Sequence, residues 1–131
     1  MRLLLDTNIL IPIARRKTSQ LKGNFRTAIH NGENHLFASV VSLWEIAIKF
    51  RIEKLDVTIE ADDLPALLAE FGMGLLVIEA AHVLADLEVD VDTRDPFDRL
   101  LLAQCQVENL RLVTIDPRLL AHPLAWRAGP I

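Results

Sequence analysis

Short apolar runs, each ended by an acid or a turn signal, predict the strands of this chain. Leu3-Leu4-Leu5 is followed by Asp6. A second, mainly apolar run, Leu112-Val113-Thr114-Ile115, is followed by Asp116 and Pro117. Runs of this length, bounded by turn residues, are typical of buried strands. The predicted strands are 2–5, 35–38, 75–78 and 111–114, and residues 124–126 could add a short fifth.

Helical patterns alternate with these strands. The clearest start is Asp95-Pro96, because Asp caps a helix well and Pro suits its first position. Gly72 and Gly74 stop another helix. The predicted helices are 9–16, 20–30, 39 or 42 to 54, 61–71, 80–88 and 96–109, with a last turn from 117. This alternation predicts βαβ units around a mainly parallel sheet, in one α/β domain over residues 1–131.

Composition adds the setting. Of 131 residues, 51% are hydrophobic, which is enough for a substantial core. No apolar run approaches the roughly 20 residues of a membrane span, and no cleavage site follows Met1-Arg2. We therefore expect no membrane attachment and a cytoplasmic protein. Cys105 is the only cysteine, so no intrachain disulfide can form, and its apolar helical setting predicts a buried, inert thiol.

The net charge of −4 hides an asymmetry between the two parts of the chain. Residues 1–54 carry nine Lys and Arg against four Asp and Glu, whereas residues 55–131 carry five against fourteen. Such a distribution predicts a basic surface beside an acidic region. A basic surface would suit a polyanion. Charged residues that merely face solvent would, however, give the same uneven distribution of basic and acidic residues.

Four carboxylates occupy strand ends or helix starts. Asp6 and Asp116 end the first and fourth strands, Asp98 lies in the first turn of its helix, and Glu45 lies early in the helix after the second strand. Ligands of parallel sheets bind outside the carboxyl ends of the strands. If these ends converge, the four acids form one cluster and raise one another's pKa values unless a cation neutralises them.

Each acid also has a purely structural interpretation, which stays open at this point. Asp6 and Asp116 could cap the helices that follow them. Glu45 completes the S-x-x-E pattern of a capping box and could also pair with Lys49 one turn later. Asp98 could simply favour the helix dipole. At about 100° per residue, however, Asp98 projects between Leu102 and Cys105, into the apolar arc of its helix.

The donor set indicates the cation and the chemistry. All four groups are hard oxygen ligands, and the four histidines show no metal-binding spacing, which favours Mg²⁺ or Mn²⁺ over zinc. The natural reaction at such a site is metal-assisted hydrolysis of a phosphodiester, for which the protein supplies no nucleophile.

Four stretches, in order along the chain, resemble the PIN-domain family, and within it the VapC-type toxins most closely. They are Leu5-Asp6-Thr7-Asn8, Ser42-Leu43-Trp44-Glu45-Ile46-Ala47-Ile48-Lys49, Arg94-Asp95-Pro96-Phe97-Asp98-Arg99-Leu100-Leu101-Leu102-Ala103-Gln104 and Leu112-Val113-Thr114-Ile115-Asp116. The resemblance implies a PIN-like three-layer fold with a central, mainly parallel sheet of four to five short strands. It also implies metal binding by Asp6, Glu45, Asp98 and Asp116, supported by Thr7, Asn8 and Thr114, while Asp95 keeps a capping role.

For function, the resemblance implies a divalent-metal-dependent endoribonuclease that uses Mg²⁺ or Mn²⁺. It further implies the toxin role in a toxin–antitoxin pair, a cognate antitoxin protein as partner, and a homodimer. We expect RNA to approach across the basic N-terminal part of the chain. Two further basic residues, Lys49 and Arg99, are expected to lie nearer the catalytic acids. The candidates for RNA contact are Arg15, Arg16, Lys17, Lys22, Arg26, Lys49 and Arg99.

Two other functions compete with this one. A haloacid-dehalogenase-like phosphatase would use Asp6 as nucleophile, but such enzymes need a second acid two positions later, where this chain has Asn8. A PIN-like module without activity would serve only to bind partners. For the partner surface we consider apolar residues of the first two helices, with burial in the core as the alternative. These residues are Ile11, Ile13, Leu21 and Phe25. The i, i+4 spacing of Leu21 and Phe25 favours the core for these two.

Overall fold

The computed structural model describes residues 1–51, 61–91 and 93–127. The strands are β1 (Arg2–Leu5), β2 (His35–Ser39), β3 (Gly74–Leu76) and β4 (Arg111–Val113). The helices are α1 (Thr7–Ala14), α2 (Gly23–His30), α3 (Val40–Arg51), α4 (Leu64–Glu70), α5 (Ala80–Leu84), α6 (Pro96–Glu108) and α7 (Pro117–Leu120). Short 3₁₀ turns cover Thr18–Gln20 and Ala61–Asp63.

The strands form a parallel sheet in the order β3-β2-β1-β4. The chain builds β1, β2 and β3 toward one edge and then crosses back to add β4 on the other side of β1. The strand order therefore reverses between β1 and β4. In parallel sheets a crevice opens at the carboxyl ends of the strands at such a point.

Both faces of the sheet are covered, as β1 demonstrates. Leu3 and Leu5 point into a core shared with α1 and α2, whereas Leu4 points into a second core shared with α6. Successive side chains of a strand point to opposite faces, so three adjacent leucines serve two cores. The result is the predicted α/β arrangement of a central parallel sheet between helices.

The predicted strands are confirmed within one or two residues, except that residues 124–126 contribute only one isolated bridge, between Ala125 and Leu112. The helices differ more. The first begins at Thr7, two residues earlier than predicted, because Asp6 caps it. The second begins only at Gly23, after a 3₁₀ turn, and α5 ends at Leu84 instead of 88. The predicted end of the third helix at residue 54 lies outside the described residues.

The apolar partner surface predicted on the first two helices is wrong. Ile13, Leu21 and Phe25 are buried in the core, and Ile11 packs against the small cluster around Ile46. For Leu21 and Phe25 the alternative, burial in the core, is confirmed. Cys105 is buried, as expected, and burial raises the pKa of its thiol. Within the described ranges, no helix has the length and apolar character needed to cross a membrane.

Candidate active site

The first and last of the four acids follow the carboxyl ends of β1 and β4. The backbone N–H of Asp6 donates to the carbonyl of Val113 at 2.9 Å, which ties the end of β1 to the end of β4. Asp116 follows three residues after β4 ends, as the cap of α7. Sequence reasoning placed both acids at strand ends, and the parallel sheet brings these ends side by side.

Asp6 is both a helix cap and part of a hydrogen-bonded cluster. Its Oδ1 accepts from the backbone N–H of Thr7 at 2.8 Å, and its Oδ2 accepts from the hydroxyl of Thr114 at 2.7 Å. The same hydroxyl accepts from the backbone N–H of Asp116 at 3.0 Å. Thr114 is fully buried and therefore fixes one carboxylate directly and the backbone of the other. Capping and clustering are thus not alternatives here.

Asp98 lies on α6, just after its cap Asp95, whose side chain accepts from the N–H of Phe97. Only 6% of Asp98 is exposed, so the helical periodicity located it correctly on the buried side. Among the described side chains, its Oδ2 is the buried polar atom that no hydrogen-bond donor reaches. The guanidinium of Arg118 stands 3.6 Å away, an ion-pair distance too long for a hydrogen bond.

Arg118 joins Asp98 to Asp116. Its Nη2 lies 2.8 Å from Oδ2 of Asp116 and its Nε lies 3.2 Å from Oδ1 of the same carboxylate, a two-pronged contact. More than half of the arginine side chain is exposed. It therefore covers the two acids from the solvent side. Sequence reasoning missed this residue, although an arginine two positions after a strand-terminal acid, in an acidic half of the chain, was a usable signal.

Glu45 reaches the site from α3. The predicted capping box is wrong, because α3 begins at Val40 and Ser42 already lies inside it. The hydroxyl of Ser42 instead accepts from the hydroxyl of Thr7 at 2.9 Å and joins α3 to α1. The predicted ion pair is present, with Nζ of Lys49 at 2.9 Å from Oε2 of Glu45. Only 8% of Glu45 is exposed. Lys49 therefore neutralises its charge in a largely buried position.

Asp6 lies close enough to the other three acids for their charges to interact with its own. Burial raises the pKa of Asp6, and the charges of Glu45 and Asp116 act in the same direction. Burial also raises the pKa of Asp98 to about 7, and the charges of Asp95, Asp6 and Asp116 add to the rise. Hydrogen bonds from Arg118 lower the pKa of Asp116 instead. The site therefore carries more negative charge than its own cations neutralise.

The residues fit a hard divalent cation in chemistry, while their present arrangement does not enclose one. In the portion of the chain that the structure describes, no three His, Cys, Asp or Glu side chains stand close enough together to hold a metal ion. Arg118 occupies the space between two of the acids. The free oxygen of Asp98, with its raised pKa, is the feature that an added cation would satisfy.

The other predicted residues are the polar residues expected to support the acids and the basic candidates for RNA contact. Thr7 and Thr114 lie in the site, whereas the side chain of Asn8 is exposed. Among the basic candidates, Arg16 pairs with Glu70 at 3.8 Å and Arg99 donates to the carbonyl of Ala85. The exposed basic candidates are Arg16, Lys17, Lys22, Arg26 and Arg99, while Arg15 and Lys49 are half-buried.

Comparisons with known proteins agree on the fold. The model of the PIN-domain family matches residues 3–123. No curated protein matches the sequence. Among solved structures, a chain in the crystal structure of VapBC2 from Rickettsia felis, bound to a DNA fragment from their promoter, is similar to this one with a TM-score of 0.59. The two chains are 16% identical over 95% of this chain and 96% of that one, so the likeness is one of fold.

Proposed function

The chain belongs to the PIN-domain family, and from that premise we propose that it is a divalent-metal-dependent endoribonuclease. The observation that carries the proposal is the buried Oδ2 of Asp98, which accepts no hydrogen bond and has only the ion pair with Arg118 at 3.6 Å, among three further acids. A buried acid without a hydrogen-bond donor is unfavourable for folding alone. Its position beside Asp6 and Asp116 supports a ligand-binding role.

Asp6, Glu45, Asp98 and Asp116 would hold the ion, and we propose Mg²⁺ or Mn²⁺ because every donor is a carboxylate oxygen. When bound, such an ion supplies activation of a water molecule and neutralisation of charge on the phosphoryl group. Thr114 keeps Asp6 oriented and fixes the start of the turn to Asp116. Lys49 holds Glu45 in a defined position through its ion pair.

The RNA backbone would approach across the exposed basic residues of the N-terminal part. Lys17, Lys22 and Arg26 are exposed, and none of them has a salt-bridge partner among the described residues. Phosphate contacts of this kind make binding strongly dependent on salt. A charge-reversed variant at Arg15, Arg16 and Lys17 should lower RNA affinity and flatten its salt dependence. An unchanged salt slope would exclude this surface.

We further propose that the chain acts as the VapC-type toxin of a toxin–antitoxin pair, in the cytoplasm and as a homodimer. The similarity to a chain of a VapBC2 complex supports a cognate antitoxin as partner. Because Ile13, Leu21 and Phe25 are buried, the antitoxin would have to use another surface. Co-purification of the product of the adjacent reading frame, and sedimentation of the isolated chain, test these two points.

A PIN-like module without activity is the second candidate, and one observation favours it. Arg118 already neutralises Asp98 and Asp116 in part. Among the described residues, no three His, Cys, Asp or Glu side chains lie close enough together to bind a metal ion. The phosphatase alternative has lost support, because Asp6 is buried with both oxygens hydrogen-bonded and Asn8 is exposed.

The test is cleavage of single-stranded RNA by the purified chain with Mn²⁺ or Mg²⁺, with EDTA, and with metal restored after EDTA. A double variant, Asp6→Ala with Asp98→Ala, purified in parallel, measures any contaminating nuclease. We expect cleavage that EDTA abolishes and added metal restores, in the parent only. Cleavage that survives EDTA, or that the double variant retains, would overturn the proposed function.

A further inference from the structure

Two aromatic side chains in contact, one exposed and one half-buried, lie beside the acidic site. Trp44 on α3 and Phe97 on α6 meet nearly edge to face, with ring centroids 5.0 Å apart and planes at 75°. Each of them directly precedes an acid of the site, Glu45 or Asp98. Neighbouring residues of a helix point about 100° apart, so the acids turn inward while the aromatic pair lies beside them.

The two rings have different surroundings. Phe97 is half-buried and packs against the core that contains Leu101 and Leu102. Trp44 is 55% exposed, so Phe97 supports it from one side and much of the indole faces solvent. The other tryptophan, Trp126, is half-buried and packs against Phe25, 5.9 Å between centroids. Trp44 is thus the tryptophan whose ring is both held in place and open to a ligand.

The charge around the site indicates what this ring can bind. Asp6, Glu45, Asp98 and Asp116 repel an RNA backbone. The nearby cations are already paired with these acids, Lys49 with Glu45 and Arg118 with both Asp98 and Asp116. Substrate must therefore gain affinity at the site from contacts that do not depend on phosphate charge. Stacking of a base on an aromatic ring is such a contact, and it is available to every base.

Resting on the endoribonuclease function proposed above, we propose that Trp44, supported by Phe97, is the stacking platform for one unpaired base of a single-stranded RNA substrate. A base inside a duplex is already stacked on its neighbours and cannot cover the ring, so the platform selects single-stranded segments. A stacked base next to Glu45 and Asp98 would hold the adjoining phosphate at the acids. Trp44 would therefore contact the substrate directly and position it, without taking part in the chemical step.

The first test follows the fluorescence of Trp44 alone. The chain has two tryptophans, so Trp126→Phe leaves Trp44 as the only emitter. In EDTA, which prevents cleavage, we expect a short single-stranded oligoadenylate RNA to quench this emission in a saturable way. The same strand paired with its complement should quench far less. No quenching by the single strand, in a protein whose parent cleaves RNA, would overturn the proposal.

The second test separates substrate binding from chemistry. With Mn²⁺, Trp44→Ala should raise KM roughly tenfold or more and change kcat little, because loss of one base stack weakens affinity by about that factor. Trp44→Tyr should keep most of the affinity, and Leu84→Ala, at a more exposed apolar residue on α5, should behave like the parent. An unchanged KM in Trp44→Ala would reject the platform and leave the nuclease function intact.

A second copy of the chain is the other occupant that an exposed tryptophan could serve. Sedimentation of Trp44→Ala and of the parent at equal concentration distinguishes the two. We expect equal sedimentation. If the variant dissociates and loses kcat, Trp44 belongs to an interface between copies and the base platform is wrong. If the parent itself cleaves no RNA, the proposed function fails, which is a different outcome from either.

Discussion

Helix α6 carries two buried polar side chains, Asp98 and Gln104, whose surroundings differ completely. Gln104 accepts from the hydroxyl of Ser39 through Oε1 and donates to the carbonyl of Val77 through Nε2 at 3.2 Å. It also lies 3.4 Å from Nδ1 of His82, a fully buried histidine that accepts from the N–H of its helix cap. Six residues earlier on the same helix, Oδ2 of Asp98 accepts no hydrogen bond.

The difference is between a polar network that is satisfied within the protein and the proposed metal site. Gln104 and His82 connect the ends of β2 and β3 to helices α5 and α6, and their hydrogen bonds are made within the protein. A buried polar atom without a hydrogen bond costs about 1–3 kcal/mol of stability, a cost that applies to Asp98 and not to Gln104. A cation bound at the proposed site would supply the partner that this carboxylate lacks.

Removal of Asp98 should have the largest effect on function. We expect Asp98→Ala to lower RNA cleavage by at least about 100-fold, because it removes an oxygen from the proposed metal site. Asp95→Asn is the matched control, three residues earlier on the same helix, since Asn caps nearly as well as Asp. Cleavage assays on both variants decide the point. Equal activity in Asp98→Ala and the control would end the distinction between the two regions of α6.

Removal of Gln104 should damage stability and spare the metal response. Gln104→Leu keeps the volume but leaves the Ser39 hydroxyl and the Val77 carbonyl without their partner. We expect a loss of about 3 kcal/mol in the free energy of unfolding, measured by urea denaturation. The stabilisation by Mn²⁺ should remain as in the parent. Val107→Ala, exposed on the same helix, should change little. A stable Gln104→Leu would show that the network is dispensable.

Asp98 also gives the metal-free protein a particular dependence on pH. Folding raises its pKa from 3.8 to about 7, so between these values the folded chain binds the extra proton. The free energy of unfolding therefore falls as pH rises through this window, and the contribution of the protonated carboxyl is gone above about pH 7. Asp98→Asn lacks this loss.

In EDTA, the stability of Asp98→Asn relative to the parent should increase by on the order of 2 kcal/mol between the acidic and the neutral end of this window. One pKa unit corresponds to about 1.4 kcal/mol, and the neighbouring acids take up part of the effect. Urea denaturation of both proteins across the window measures it. A relative stability that does not change with pH would mean that Asp98 titrates alike in the folded and unfolded chain.

The smallest effect concerns Arg118, which covers two acids without enclosing them. A metal ion that uses Asp98 and Asp116 must compete with its guanidinium. We expect Arg118→Ala to bind Mn²⁺ severalfold more tightly than the parent, measured by calorimetry, whereas Arg118→Lys should lie between them. Weaker binding in Arg118→Ala would mean that the arginine assembles the site and does not compete for it.

Much of this arrangement could be predicted from the sequence, because it depends on local patterns. Leu3-Leu4-Leu5 before Asp6 predicted a buried strand with an acid at its end, and the helical angle of Asp98 predicted its burial. Contacts between distant segments left no such pattern. The bond from Ser39 to Gln104 spans 65 residues, and the one from Thr114 to Asp6 spans 108. The local spacing of Leu21 and Phe25, by contrast, favoured the core, where both residues lie.

Calorimetric titration of Mn²⁺ into the RNA-free protein tests directly whether the acidic cluster binds a metal ion. The parent is compared with Asp98→Asn. Asn keeps the size of the side chain, removes its charge and replaces one carboxylate oxygen with an NH₂ group that cannot bind a cation, so a difference in binding reports on the site itself. We predict saturable binding to the parent and binding at least about tenfold weaker to Asp98→Asn, because a hard cation prefers the carboxylate. A parent that binds no Mn²⁺, or two proteins that bind it equally, would contradict the account of the acidic cluster as a metal site.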